Sequence, residues 1–129
     1  MAIKFIHRFS ARMYNDAVTT NSTVFDEPQR SSEYTAASNV VIRNTQTIGT
    51  TYEAIAVSDL AGLGYGRFIN RDATNYVEVG VEVSAAFYPL IKLRPGMDSG
   101  WVPLAAVTLY ARANTASVKM EYVLTDTVT

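Results

Sequence analysis

The stretch Tyr76-Val-Glu-Val-Gly-Val-Glu-Val83 puts valines 77, 79, 81 and 83 on one side of an extended chain and Glu78, Gly80 and Glu82 on the other. A period of two marks a strand with one face in a core and one in solvent, as antiparallel sheets have. Working outward, Val118-Lys-Met-Glu-Tyr-Val123 repeats the pattern. Val118, Met120 and Tyr122 face inward there, and Lys119 and Glu121 face outward. Val107-Thr-Leu-Tyr-Ala-Arg112 sets Val107, Leu109 and Ala111 against Thr108, Tyr110 and Arg112. Residues 87–93 are extended but hold Pro89, which has no N–H for a ladder, so an edge or bulged strand is expected. Further strands are expected over residues 39–48, 51–57 and 66–70, with turn residues between them. Strands at this spacing predict an all-β fold, a single antiparallel β-sandwich of about seven to nine strands, jelly-roll-like.

Composition agrees. Val, Ile and Thr number 14, 7 and 14 against 7 Leu, and branching at Cβ favours a pleated surface over a helix. With 129 residues, 48% of them apolar, one domain with one core is expected. No window has the 18 or so apolar residues of a membrane-spanning helix. Residues 1–12 are positively charged without the apolar stretch of a signal peptide.

The first third reads differently. Ile3, Phe5, Phe9, Ala11 and Met13 alternate as in a strand, while Ala2, Phe5, Ile6, Phe9 and Met13 also form a helical stripe; the surroundings favour strand. Residues 15–38, rich in Thr, Ser, Asn and Ala, read as a long connection with one short strand near residues 18–24. The expected plan is an N-terminal arm and connection over 1–38 and a core over 39–129. Ile3, Phe5 and Phe9 on the arm, and Trp101 beside the turn at 98–100, are the candidate protein-interaction residues.

The chemistry available is narrow. There is no Cys and one His, which excludes disulfides, thiolate metal sites, Cys nucleophiles and multi-histidine metal centres. His7 and Ser10 would point to opposite faces of a strand, so with Asp16 they make no triad. Glu78 and Glu82 on one strand would stand roughly 13 Å apart, too far for the paired carboxylates of a glycosidase, and read as a solvated strand face or as partners for arginines of a neighbouring strand or subunit. Gly62-Leu-Gly-Tyr-Gly-Arg67 has Arg where a dinucleotide fingerprint has its third Gly, so loop flexibility or close backbone approach is the expected reason for these glycines. No calcium-loop pattern surrounds Asp72 or Asp98. Eleven Lys and Arg against 12 Asp and Glu give net −1, with Arg67, Arg71, Arg94 and Arg112 interspersed with acids. That argues against nucleic acid and anionic membranes as partners. No catalytic, cofactor-binding or metal residue is expected, and the chain does not read as an enzyme.

Phe68-Ile-Asn-Arg-Asp-Ala-Thr-Asn-Tyr-Val-Glu-Val-Gly80, Phe87-Tyr-Pro-Leu-Ile-Lys-Leu-Arg-Pro-Gly96, Val102-Pro-Leu104 and Leu109-Tyr-Ala-Arg-Ala-Asn-Thr-Ala-Ser-Val-Lys-Met-Glu-Tyr122, in that order, resemble small virion structural proteins of tailed bacteriophages. One departure is Met97, which stands between the Pro95-Gly96 turn and Asp98, where the family often places an acid directly. The resemblance implies a compact β-sandwich that decorates or cements a capsid by binding the major capsid protein, or that sits in the neck or tail. It also implies a location in the virion after assembly in a host cytoplasm. A symmetric homo-oligomer, a trimer first, or a monomer that orders on its lattice fits an apolar arm with a long connection behind it. A carbohydrate-binding sandwich, stacking sugars on Trp101 and exposed tyrosines, is the alternative from another class.

Overall fold

The computed structural model describes residues 4–15, 22–38, 40–58, 60–105 and 108–128, with side chains for all of these except 5, 7, 11–15, 22–28 and 32. The described residues form strands and turns without helix: β1 (Lys4–Asn15), β2 (Ser22–Thr35), β3 (Val41–Ile48), β4 (Glu53–Ala54), β5 (Tyr65–Asn70), β6 (Val77–Val83), β7 (Ala86–Leu93), β8 (Val102–Pro103), β9 (Tyr110–Ala113) and β10 (Val118–Thr125). β3 to β10 make two four-stranded sheets, ordered β3-β10-β5-β8 and β4-β9-β6-β7, antiparallel throughout. With β3 to β10 taken as eight strands in chain order, neighbours in each sheet follow the jelly-roll sequence of 1-8-3-6 and 2-7-4-5.

The two inner faces enclose one core. Val77 and Val79 from β6, Ala111 and Ala113 from β9, Phe68 from β5 and Val118, Met120, Tyr122 and Leu124 from β10 are buried together. The alternation read from residues 76–83 and 118–123 points Val77, Val79, Val118, Met120 and Tyr122 inward, while Val81 is only partly buried and Val83, expected on the same face, is 54% exposed at the end of the strand. Tyr122 keeps its hydroxyl satisfied in that apolar setting by donating to the carbonyl of Ala56 at 2.7 Å. Asn70, also fully buried, donates to the carbonyls of Asn75 (2.8 Å) and Leu93 (3.0 Å) and accepts from the N–H of Asp72 at 2.8 Å.

β6 and β7 form a hairpin with a two-residue turn, Ser84-Ala85, both at positive φ (52° and 61°). This is the backbone of a type I′ turn, whose twist matches the flanking strands. Counting pairs from the turn, Pro89 falls at a position whose N–H would face the open edge, so its missing donor leaves the ladder intact. Opposite the Val79–Gly80 step β7 carries an extra residue, Leu90, which bulges out 71% exposed. The expectation of an edge or bulged strand is met on both counts.

β1 and β2 form a separate antiparallel ribbon. Twelve residues of strand make it roughly 40 Å long. Its base is fixed to the sandwich: Ala36 bridges Val128, the Ala37 N–H donates to the Thr127 carbonyl (2.7 Å), Ser38 donates to Asp126 (2.6 Å), and the Tyr34 and Tyr65 rings lie 5.6 Å apart. Among the described residues, neither ribbon strand makes an extended contact with a sandwich strand.

This corrects the reading of residues 15–38. They are not a long connection; residues 22–35 are the second strand of the ribbon, and of the short strand expected near 18–24 only 22–24 fall on described residues. The arm is accordingly a hairpin rather than a single strand. The polar composition of the segment hid the strand, and Pro28 within it does not break the ladder. Pro28 lies at a register shift, where Phe9 pairs Arg30 and Ala11 pairs Glu27, so two residues of β2 face one of β1 and the ladder tolerates a proline. Smaller differences are that residues 51–57 yield only the two-residue β4, β9 starts at Tyr110, and β8 was not expected. Val107 lies outside the described residues.

Candidate functional site

The outer surfaces of both sheets are laced by cross-strand ion pairs. On β10, Glu121 is gripped from both sides: Arg43 of β3 donates Nε–H to Oε2 at 2.8 Å, and Arg71 beyond β5 donates Nε–H to Oε1 at 2.9 Å. The Glu121 side chain is only 11% exposed. The two arginines, Arg71 first, hold its pKa below the ordinary glutamate value. On the other sheet Arg112 of β9 donates to Glu78 of β6 at 2.9 Å, the strand-to-strand partner expected from the sequence. Glu82 instead accepts from the Tyr52 hydroxyl at 2.8 Å, which pushes that phenol's pKa up. The two glutamates serve different partners and frame no catalytic pair.

Tyr52 is the hub of an aromatic group on this face. Its ring stacks on Phe87 at 5.5 Å and meets Tyr110 edge-on at 5.8 Å, while the Arg112 guanidinium lies 4.9 Å from the Phe87 ring centre. These rings cover one another rather than presenting open platforms.

The loop from Arg94 to Trp101 is tied down by Asp98. Arg67 donates Nε–H to both its oxygens (3.1 and 3.0 Å), and the Gly100 N–H donates to Oδ1 at 2.8 Å. Arg67 is the main reason that Asp98 titrates below the usual carboxylate range. Asp72 has a similar structural task, accepting from the N–H groups of Asn75 (2.6 Å) and Thr74 (2.9 Å), which lowers its pKa. Both acids are thus occupied within turns. The glycine-rich stretch 62–66 is explained by proximity: the Gly64 N–H donates to the Thr125 carbonyl at 3.0 Å, and a Cβ there would overlap the Asp126 carbonyl oxygen.

Between β7 and β8 the sandwich opens into an apolar groove of about 320 Å³ lined by Val79, Val81, Leu90, Ile91, Val102 and Leu104. Sequence reasoning missed it, because it depends on the unexpected β8 and on the bulge at Leu90. Among the described residues no group of His, Asp and Glu is arranged to hold a metal ion.

The four residues singled out from the sequence do not form one patch. Ile3 lies outside the described residues, and Phe5 and Phe9 belong to β1. Phe9 is 44% exposed, and its neighbour Ile6, not singled out, is 50% exposed. Trp101 is half-buried on the sandwich, just before β8. His7 and Ser10 both lie in β1, three residues apart, and Asp16 lies outside the described residues.

Comparison with family models, curated proteins and solved structures finds no match to this chain.

Proposed function

We propose that this chain is a structural protein of a tailed-bacteriophage virion that decorates or cements the capsid shell. The observation that carries the reading is the division of the fold into a jelly roll, whose ion pairs at Glu121 and Glu78 hold its own strands, and a long ribbon fixed to it at the base. Two strands enclose no core and are marginal alone in water, so such a ribbon is suited to being completed by a neighbour. Jelly rolls occur in viral capsid proteins and in lectins. The order of the segments from Phe68 to Tyr122 favours the first.

Cementing on this reading is mass action. A protein that binds the mature shell and not its precursor stabilises that shell by RT ln(1 + [L]/Kd) per site, ~2.7 kcal/mol at a hundredfold excess over Kd. Repeated over the sites of a shell, the term resists internal pressure without any chemistry at a single site. Near-neutral net charge suits a protein partner better than the packaged genome.

Particles assembled without this protein provide the test. Heads that lose heat resistance while keeping their tails support the cement role. Intact heads with missing or non-adsorbing tails move the protein to the neck or tail. Its absence from purified wild-type virions overturns the structural role.

A further inference from the structure

We propose that ribbons of neighbouring copies pair edge to edge, the outer edge of β1 against the outer edge of β2 in the next copy, so that the copies close into a ring. The inference rests on reading the ribbon as an assembly element, and it names the partner as a second copy of this chain.

Three observations carry it. First, among the described strands β1 pairs only with β2 and β2 only with β1, apart from the bridge at Ala36, so each presents a long row of backbone groups along its other edge. Second, the two long edge strands of the sandwich are guarded. Pro89 interrupts the donors of β7, and on β3 the Asn44 side chain accepts from the N–H of Thr45 at 2.8 Å. β4 and β8, at the remaining edges, are two residues long. Main-chain pairing is therefore directed to the ribbon.

Third, the charges choose the pairing. β1 carries Lys4, Arg8 and Arg12 and no acid, and β2 carries Asp26, Glu27 and Glu33 against Arg30 alone. A two-fold contact of β1 with its own copy brings together two strands that carry only positive charge, and of β2 with its own copy two strands of net negative charge. β1 against β2 of the next copy repeats the preference that joins Lys4 to Glu33 at 2.5 Å within the ribbon. It also keeps every neighbouring pair antiparallel. A head-to-tail contact of this kind generates a ring when its rotation closes, and closure removes every ribbon edge. Three copies would make a six-stranded barrel.

The chain has no cysteine, so the arrangement can be mapped on the full-length protein without background. Light scattering on purified protein should give one defined oligomer. Arg8→Cys chains, co-refolded with chains carrying Gln29→Cys, Ser31→Cys or Glu33→Cys, should form a disulfide between chains with at least one of these partners. Arg8→Cys chains alone should not. Lys4→Glu with Arg8→Glu should raise the dissociation constant at least about tenfold, and adding Glu27→Lys and Glu33→Lys to the same chain should restore it. A monomeric purified protein, a disulfide between two Arg8→Cys chains, or no disulfide with any of these three β2 positions overturns the inference. A monomer whose loss still weakens particles would sink the ring and leave the virion role standing. A ring from a protein absent from virions would do the reverse.

Discussion

Gly80 on β6 and Tyr88 on β7 approach so closely that a Cβ on the glycine would overlap the Tyr88 carbonyl oxygen and lie 2.8 Å from the Cα of Pro89. The contact is to backbone, which cannot swing aside, and it follows from the bulge that crowds the edge strand over this position. Gly80→Ala should therefore displace β7 and cost about 2 kcal/mol, read as a lower urea midpoint at an unchanged slope.

Val79 and Glu82 lie on the same strand with opposite fates. Val79 is buried against Phe68, Ala111 and the rest of the core, so Val79→Asp places an unpaired charge there. It should yield unfolded or insoluble protein, a loss above about 4 kcal/mol. Glu82→Ala removes one exposed bond from Tyr52 and should change stability by less than about 0.5 kcal/mol. Thermal melts of the pair side by side provide the check.

Ser84-Ala85 holds a type I′ turn without the Asn-Gly that suits it. A left-handed Ala costs about 1–2 kcal/mol, while Gly costs about 0.4–1 kcal/mol more in unfolded-chain entropy. Ala85→Gly should be net stabilising by about 0.5–1 kcal/mol, a rise of a few degrees in Tm.

Glu121, with its pKa depressed by Arg71 and Arg43, links stability to acid. Its folded form releases the proton more readily than its unfolded form, whose pKa is near 4.5. The ion pairs' contribution is then complete above that value and is lost as pH falls through the lower folded pKa. Glu121→Gln should flatten the acid side of the stability curve over that window, measured by urea titration at successive pH values.

The ribbon should be dispensable for the fold of the sandwich. A chain starting at Ser38 loses the Tyr34–Tyr65 contact and the Ala36 bridge but keeps the whole core. It should retain its β-type far-UV spectrum and one cooperative melt.

The sandwich was legible where one face of a strand is apolar and the other polar, as in β6 and β10, because burial on one side writes itself into every second residue. β2 lacks that contrast: Ser22-Thr-Val-Phe-Asp-Glu-Pro-Gln-Arg-Ser-Ser-Glu-Tyr-Thr35 belongs to a two-stranded unit outside the main core, and its bulges shift the phase twice. β4 and β8 are too short to show any period. Glu121 was placed correctly on the outer face, but its burial beneath two arginines is a property of three separated segments meeting. No local pattern in one segment records such a meeting.

The base of the ribbon also orders events in time. Ser38 is held by Asp126, 88 residues further along the chain, and Ala36 and Ala37 are held by Val128 and Thr127. A ribosome delivers β1 and β2 first and their anchor long after. On a nascent chain the hairpin is a tethered segment with no fixed direction. The contact of Tyr34 with Tyr65 can form once β5 is made, but the hydrogen bonds that fix the base wait for residues 126–128, beyond β10. Translation thus separates making the ribbon from anchoring it by the hydrogen bonds of its base.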